Sequence, residues 1–293
     1  MIAAEALPNR RVEGWRWSDL SAALVGREVP IIPGDRHVLA RIAIGARRMG
    51  GIVVNAGEKR TEIERVGDDG LDTRALEIDV REGASLSLVT IQEEGDVALA
   101  HRKVRLGKGA TFRQFTLARG ARYARLETEI DVIGSNAKVE LNGVYLVAQG
   151  RHADLTSLVI LNADHAEVRQ IVRGAARKGG RGVFQGRFKV ERIAQKTDAK
   201  MAHNALLLED GAEVFAKPEL EIYADDVQCA HGNTSGQLDE AAIFYLRQRG
   251  LSEIEARAMI TRAFLVEALP EWLDEAIRSE AEGRIDTWLG AAS

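Results

Sequence analysis

Residues 217–236 read Lys-Pro-Glu-Leu-Glu-Ile-Tyr-Ala-Asp-Asp-Val-Gln-Cys-Ala-His-Gly-Asn-Thr-Ser-Gly, and the sequence changes character there. Short strand-like runs precede this stretch, and apolar residues at helical spacing follow it. It contains Cys229, the only cysteine of the 293 residues. Cys229 and His231 are two positions apart, so on an extended backbone both side chains leave the same face. A thiolate beside an imidazole can bind a transition metal or accept sulfur.

Between residues 51 and 236, short apolar runs alternate with period two, as in strands. A small turn phrase separates many of them, and it occurs at Gly83-Ala84, Gly109-Ala110, Asn136-Ala137, His165-Ala166 and Gly211-Ala212. Glycine and asparagine tolerate the positive φ that such turns require. The first four phrases recur every ~26–29 residues, a period typical of solenoids. A β-sandwich gives similar strands, but the spacing favours a β-solenoid whose coils bury their inner faces on one another.

The two ends of the chain are predicted to contain helices. Residues 1–50 form an N-terminal segment with some helix, and the aromatic cluster of Trp15 and Trp17 is expected to anchor it to the core. Residues 237–293 form a C-terminal helical subdomain with one apolar face covering the end of the β body.

Three helices are predicted within that subdomain. The first opens at Asp239 and Glu240, with Ser235 or Gly236 near its cap, and ends before Gly250. The second begins with a capping box of Ser252 and Glu255 and stops at Pro270. A third short helix is expected from Glu271 to about Arg278.

The 217–236 stretch resembles the C-terminal signature of SufD-type members of the SufB/SufD family, which are scaffold subunits of the SUF iron–sulfur cluster assembly complex. The signature reads roughly Lys-Pro-x-Leu-Glu-Ile, then Asp-Asp-Val-x-Cys-Ser-His-Gly. Here Ala230 replaces the usual serine and Asn233 a usual small residue. The aromatic cluster at 13–20 and the segment 184–199 also resemble the family. SufB-type members carry a His-Glu-Ala phrase and further cysteines in this region, so the resemblance favours SufD.

The resemblance implies a mainly β fold with a right-handed parallel β-helix core over residues 51–236. It also implies that Cys229 and His231 lie at an interface with SufB, where the nascent cluster is built. An iron–sulfur cluster normally takes four protein ligands, mostly thiolates, and this chain has one thiol. The chain alone would therefore hold no cofactor stably, and any metal at these two residues would be a transient cluster shared with a partner chain.

Partners follow from the same resemblance. The protein is expected to be a non-enzymatic subunit that pairs with a SufB-like paralogue and binds the SufC-like ATPase through helices at 238–249 and 253–269. The candidate ATPase-binding residues are Ile243, Tyr245, Arg249, Ser252, Glu255 and Arg262. Three alternatives remain open: a β-helix carbohydrate-active enzyme with stacked carboxylates, a self-associating scaffold, which includes a homodimer of the isolated chain, and a SufB-like paralogue.

Composition and motifs argue against several classes of function. Charges of both signs are mixed and the net charge is −4, which gives no basic surface for nucleic acid. No apolar run reaches the length of a membrane span, and the single cysteine and the absence of a signal-peptide pattern favour the cytoplasm. The sequence has no Walker A loop and no hydrolase elbow, so no catalytic residues are predicted. Asp225 and Asp226 are expected to point to opposite faces of a strand and to serve a structural or interface role.

Overall fold

The computed structural model describes residues 6–67 and 69–290, and its described strands form two parallel sheets. The first sheet contains β1 (Met49–Val54), β3 (Leu71–Val80), β5 (Val97–Leu106), β7 (Tyr123–Val132), β9 (His152–Leu161), β11 (Arg181–Val190) and β13 (Glu213–Ile222). The second sheet contains β2 (Lys59–Val66), β4 (Ser85–Gln92), β6 (Thr111–Ala118), β8 (Lys138–Val147), β10 (Glu167–Ala176), β12 (Asp198–Leu207) and β14 (Gln228–Gly236). Consecutive strands alternate between the sheets, so the chain winds as a coil. The predicted β-solenoid is confirmed.

The core lies between the two sheets, where inward side chains stack in register from coil to coil. One inner column of the second sheet consists of Leu86, Phe112, Val139, Val168 and Ala199, all buried. Parallel pairing places identical faces side by side, so each inward residue packs on the residue one coil away. Burying a large apolar side chain contributes about 1.5–3 kcal/mol, which makes this stacking the main stabilising term of the solenoid.

The turns that join the sheets also stack. The predicted left-handed residues are Gly83, Gly109, Asn136 and His165, with φ of 64°, 62°, 59° and 55°. The N–H of Gly83 donates to the carbonyl oxygen of Lys108 in the next coil at 2.9 Å, and later turns repeat this bond. Grouping the Gly211-Ala212 phrase with these turns was wrong. Gly211 accepts from the N–H of Gly179 at 3.0 Å in a second stack of turns.

The N-terminal segment lies on the outer face of the first sheet. It contains a 3₁₀ turn (Glu13–Trp15) and the helices α1 (Leu20–Ala23) and α2 (Val38–Gly45). Trp15 is buried, and the guanidinium carbon of Arg125 lies 3.8 Å from its ring centroid. The predicted aromatic anchor is confirmed for Trp15, since a buried cation–aromatic contact holds the segment to β7.

Three helices follow the last strand. α3 (Glu240–Gln248) begins where it was predicted and is capped by Asp239, but the predicted cap at Ser235 or Gly236 was wrong, because both residues still belong to β14. α4 (Glu253–Val266) has the predicted capping box. α5 (Glu275–Leu289) begins four residues after the predicted Glu271, because the Asp274 carboxylate accepts the N–H of Ile277 at 2.8 Å and caps the helix there.

The helices α4 and α5 cover the outer face of the second sheet and not the end of the solenoid, which corrects the prediction. Val89, Phe115 and Val144 are outward residues of three strands, and they pack with Leu265 and Ile285 of the helices. The sheet carries apolar residues on both faces here, so its outer face needs a cover. Strands run from Met49 to Gly236, and the division into units at 1–50, 51–236 and 237–293 stays a prediction.

Within residues 6–67 and 69–290, no helix combines the length and the apolar character that crossing a membrane would require.

Tight packing around Tyr145 gives a stability prediction. A Cβ added at Gly174 would lie 1.9 Å from Cζ of Tyr145, whereas one added at Gly232 would have no heavy atom within 4 Å. Gly174→Ala is expected to lower the free energy of unfolding by about 1–3 kcal/mol, as overpacked cores do. Urea denaturation followed by circular dichroism measures it. Gly232→Ala is the matched control and should change stability by less than about 0.5 kcal/mol; equal effects of the two would contradict the packing.

Candidate functional site

The last coil leaves the solenoid open. β13 pairs with β11 and β14 pairs with β12, and neither has a strand on its other side in the described part of the chain. No residue of either strand is buried. Pro218 lies in β13, and proline is tolerated in edge strands because it cannot donate to a ladder. Unpaired edges are templates for another chain, so this end can accept a partner strand, as can the free edges of β1 and β2 at the other end of the described solenoid.

Cys229 and His231 lie on the inner side of β14. The register pairs Cys229 with Ala199 and His231 with Met201, and both of those residues are buried in the solenoid core. Cys229 therefore extends an inner column of the second sheet, but no further coil covers it. It is half-buried against the core, whereas His231 is exposed. The predicted common direction of the two side chains agrees with this register.

The environment of Cys229 keeps its sulfur protonated. Burial raises the pKa of the thiol, and a hydrogen bond with the backbone of Ala199 offsets this only in part. The thiolate is the form that binds metals and accepts sulfur, so metal binding at Cys229 must release a proton.

A hydrogen-bonded chain of side chains leads from the core to this end. The ring of buried His203 contacts the hydroxyl of Tyr145 through Nε2 at 3.0 Å and Oδ1 of Asn233 through Nδ1 at 2.7 Å. Asn233 is the next inward residue after His231, so three inner positions of β14 carry polar or sulfur side chains. Burial lowers the pKa of His203 to about 4, and this histidine is neutral at physiological pH.

The N-terminal segment reaches the same coil from outside. Trp17 stacks on Phe215 of β13 with ring centroids 5.7 Å apart, and Nζ of Lys217 lies 2.6 Å from Oε1 of Glu13. Lys217 is the first residue of the 217–236 stretch that contains Cys229 and His231. The last coil is therefore held by the N-terminal segment on one face, while its edge stays open.

Asp225 and Asp226 lie in the turn between β13 and β14, so the premise that they occupy a strand was wrong. The carboxylate of Asp226 binds the ammonium of Lys196, and its backbone N–H donates to Oε1 of Gln195 at 2.9 Å. These bonds fasten the last turn to the preceding one. The structural role expected for the pair fits Asp226.

The helix residues chosen for ATPase binding fall into different environments. Ile243 is buried and packs with Leu206 of β12. Arg262 donates to Asp286 and Glu282 of α5 at 2.7 Å each. Ser252 and Glu255 cap α4, and Tyr245 and Arg249 are exposed and contact each other. Of these residues, Tyr245 and Arg249 have their side chains most available to a partner.

His152, His165 and His203 do not converge on one site. His152 packs beneath the N-terminal segment, His165 lies in an exposed turn, and His203 faces the solenoid interior. Asn233 also lies at the open end, and it was not among the predicted site residues. The inward sequence 229, 231, 233 would have identified it, since every second residue of a strand shares a face.

The carboxylates that stack on the first sheet do not fit a glycoside hydrolase. Glu127 and Asp154, on neighbouring strands, both bind the buried guanidinium of Arg125. Burial alone would raise the pKa of Glu127, but Arg125 and His37 hold it well below its usual range. The general acid of such enzymes needs a raised pKa.

A family model described as SUF system FeS cluster assembly, SufBD core domain, matches residues 47–264. This range includes all the described strands, the helix α3 and most of α4. The chain belongs to the SufB/SufD family. The match covers the solenoid, the open last coil and the helices α3 and α4, so these features are those of a SufBD core domain.

Individual relatives agree with this assignment. The iron–sulfur cluster assembly protein SufD of Escherichia coli K12 is 33% identical over 210 residues, covering 71% of this chain and 50% of that protein. The chloroplastic protein ABCI7 of Arabidopsis thaliana is 30% identical over 260 residues, covering 86% and 54%. A SufBD family protein of Mycobacterium leprae is 27% identical over 281 residues, covering 90% and 71%. The chain spans about half the length of the first two, and the predicted SufD-like character is confirmed.

The neutral His203 predicts a pH dependence of stability. Its pKa is about 4 in the folded state and near 6.5 when unfolded, so the unfolded state binds the proton more readily. The contribution of His203 to the free energy of unfolding is fully present above about pH 6.5. It is lost as the pH drops towards 4, by about 3 kcal/mol at most. His203→Gln should remove this part of the loss between pH 7 and 4.5, measured by urea denaturation at both pH values. His231→Gln, which removes an exposed histidine of the neighbouring strand, should keep the loss; an identical pH profile for wild type and His203→Gln would contradict it.

Proposed function

We propose that this protein is a non-enzymatic scaffold subunit, SufD-like, of a complex that assembles iron–sulfur clusters. The observation that supports this most strongly is the placement of the only thiol of the chain, beside His231, on the inner side of a last strand whose second edge has no partner in the described part of the chain. A ligand at an open end can be shared with a second chain, whereas a ligand inside the core cannot.

Ligand number explains why a partner is needed. A cluster takes four protein ligands, mostly thiolates, and the last coil offers one thiol, Cys229, and one imidazole, His231. The cluster is cargo in this proposal, held while it is built and then passed on. A SufB-like paralogue with further cysteines would supply the missing ligands.

Pairing of the two subunits would use the edges of β13 and β14. Adding a strand to an exposed edge provides main-chain hydrogen bonds, and the side chains on alternate positions provide specificity. The half-buried apolar residues Val214, Leu220 and Cys229 would gain the cover that each inner coil has. A second copy of this chain could occupy the same edge in the isolated protein, which keeps the homodimer as the competing state.

Substituting the two site residues should lower cluster assembly without unfolding the protein. In a complex reconstituted with the SufB-like and ATPase subunits, Cys229→Ala/His231→Ala is expected to reduce the bound iron and sulfide at least tenfold. Iron and acid-labile sulfide are measured per complex, and circular dichroism checks the fold.

Gln228→Ala is the matched control, because Gln228 is an exposed residue of the same strand on its outer side. It should retain full iron and sulfide. Full activity of the double variant would remove Cys229 and His231 from the site.

The ATPase subunit is proposed to dock on α3 and α4. Several large apolar side chains are exposed there: Phe244 (63%), Tyr245 (56%), Ile254 (80%) and Met259 (50%). The guanidinium of Arg249 lies 4.9 Å from the Tyr245 ring, and aromatic–arginine pairs are frequent anchors of protein interfaces. An exposed apolar patch on a family member that works in an assembly is best explained by a partner.

Tyr245→Ala/Arg249→Ala should weaken binding of the purified ATPase subunit by at least tenfold, because truncating an anchor residue costs about 1–2 kcal/mol. Isothermal titration calorimetry measures the affinity. Glu275→Ala, on the exposed side of α5, is the control and should leave the affinity unchanged. An unaltered affinity of the double variant would move the docking surface away from α3.

A further inference from the structure

Three potential metal ligands from separate elements converge on the outer face of the first sheet. His37 caps α2, His101 belongs to β5 and Glu129 to β7. One ligand atom from each lies within 4.8 Å of the others. The group is remote in sequence from Cys229 and His231, and no residue of the proposed cluster site belongs to it.

The imidazole of His101 has an unused ligand atom. The residue is 4% exposed, and its buried Nε2 has no hydrogen-bond partner. The closest carboxylate oxygen, Oε1 of Glu129, is 3.6 Å away, too far for a hydrogen bond. A buried polar atom without a partner is costly, so its persistence indicates that something else binds it.

The spacing suits an ion between the ligands. Nitrogen and oxygen bind zinc at 2.0–2.2 Å, so two ligand atoms of a tetrahedral site are about 3.4 Å apart. The 3.6 Å between His101 and Glu129 is close to this distance. The ligand atoms of the group lie up to 4.8 Å apart, so the His37 side chain would move inward by about 1 Å to reach zinc at these bond lengths.

The charges around the group also favour a cation. Glu129 places one carboxylate at the group, with Oε1 3.6 Å from Nε2 of His101. Glu127 adds a second carboxylate, with Oε1 3.3 Å from Nε2 of His37. The rings of His37 and His101 stack with centroids 4.4 Å apart, which places both imidazoles beside these two carboxylates.

A cavity of about 300 Å³ adjoins the group, and Met49, Lys103 and Arg36 also line it. The guanidinium of Arg36 is paired with Glu77, so one of the two cations at the cavity is already neutralised. The remaining space can hold water as a further ligand, which a three-residue site requires.

We propose that His37, His101 and Glu129 bind one divalent transition-metal ion, such as Zn²⁺, with a water ligand on the cavity side. Two imidazoles and one carboxylate suit zinc or ferrous iron, and they do not suit calcium or magnesium, which prefer oxygen ligands. The ion would tie α2 to β5 and β7, and so fix the N-terminal segment that holds the last coil.

The experiment titrates Zn²⁺ into the full chain by calorimetry, in a Cys229→Ala/His231→Ala background that removes the other candidate site. This background should bind one Zn²⁺ per chain. Adding His101→Gln or Glu129→Gln should weaken binding at least tenfold, since the loss of even an outer-shell partner costs 10–100-fold in affinity. Glu82→Gln is the control, because Glu82 is an exposed carboxylate outside both the ligand group and the cavity lining, and it should bind as tightly as the background.

Hydrogen exchange provides a second measurement that needs no core substitution. Zn²⁺ should slow exchange in residues 38–45, and His37→Ser, which keeps a capping residue, should abolish the slowing. The proposal is overturned if the background binds no Zn²⁺. It is equally overturned if His101→Gln and Glu129→Gln bind Zn²⁺ as tightly as the background, since the ion would then lie elsewhere and the three side chains would form ion pairs only.

Discussion

The stacking of inward side chains between successive coils is the constraint on which this structure depends. Each coil covers the inner face of the one before it, and Leu86, Phe112, Val139, Val168 and Ala199 form one such column. The same constraint leaves the last coil uncovered. Cys229 occupies the next position of the column, so the candidate site lies on the last coil, where no further coil of the described chain covers the inner face.

The outer faces of both sheets are covered by segments from the ends of the solenoid. The C-terminal helices cover apolar outward residues of the second sheet, and the N-terminal segment packs on Val97, Leu99 and Tyr123 of the first sheet, where buried polar contacts also hold it. Arg125 donates to Asp154 at 3.0 Å and to the carbonyl oxygen of Gly14 at 2.7 Å. Because the segment also binds β13 through Glu13 and Trp17, it connects the proposed metal group near β5 to the last coil.

The sequence allowed prediction of features that are encoded locally. Turn residues with positive φ, period-two alternation and the capping box of α4 each depend on a few neighbouring residues, and each is confirmed. The wrong predictions concern features that depend on contacts between residues far apart in the sequence. Whether Gly211 joins one stack of turns or the other is set by pairing with Gly179. The ligand group of His37, His101 and Glu129 has no spacing motif, because the coil brings it together across three elements.

The protonation of Cys229 connects the fold to the proposed function. In the isolated chain the sulfur is half-buried against an apolar column, and its raised pKa makes it a poor nucleophile and a poor ligand. A partner strand on the open edge would bury it further, which by itself would favour the thiol still more. A metal ion reverses that preference, because a coordinated thiol loses its proton. In the proposed function the metal removes the proton and the partner supplies the remaining ligands, so Cys229 would handle a cluster only within the assembled complex.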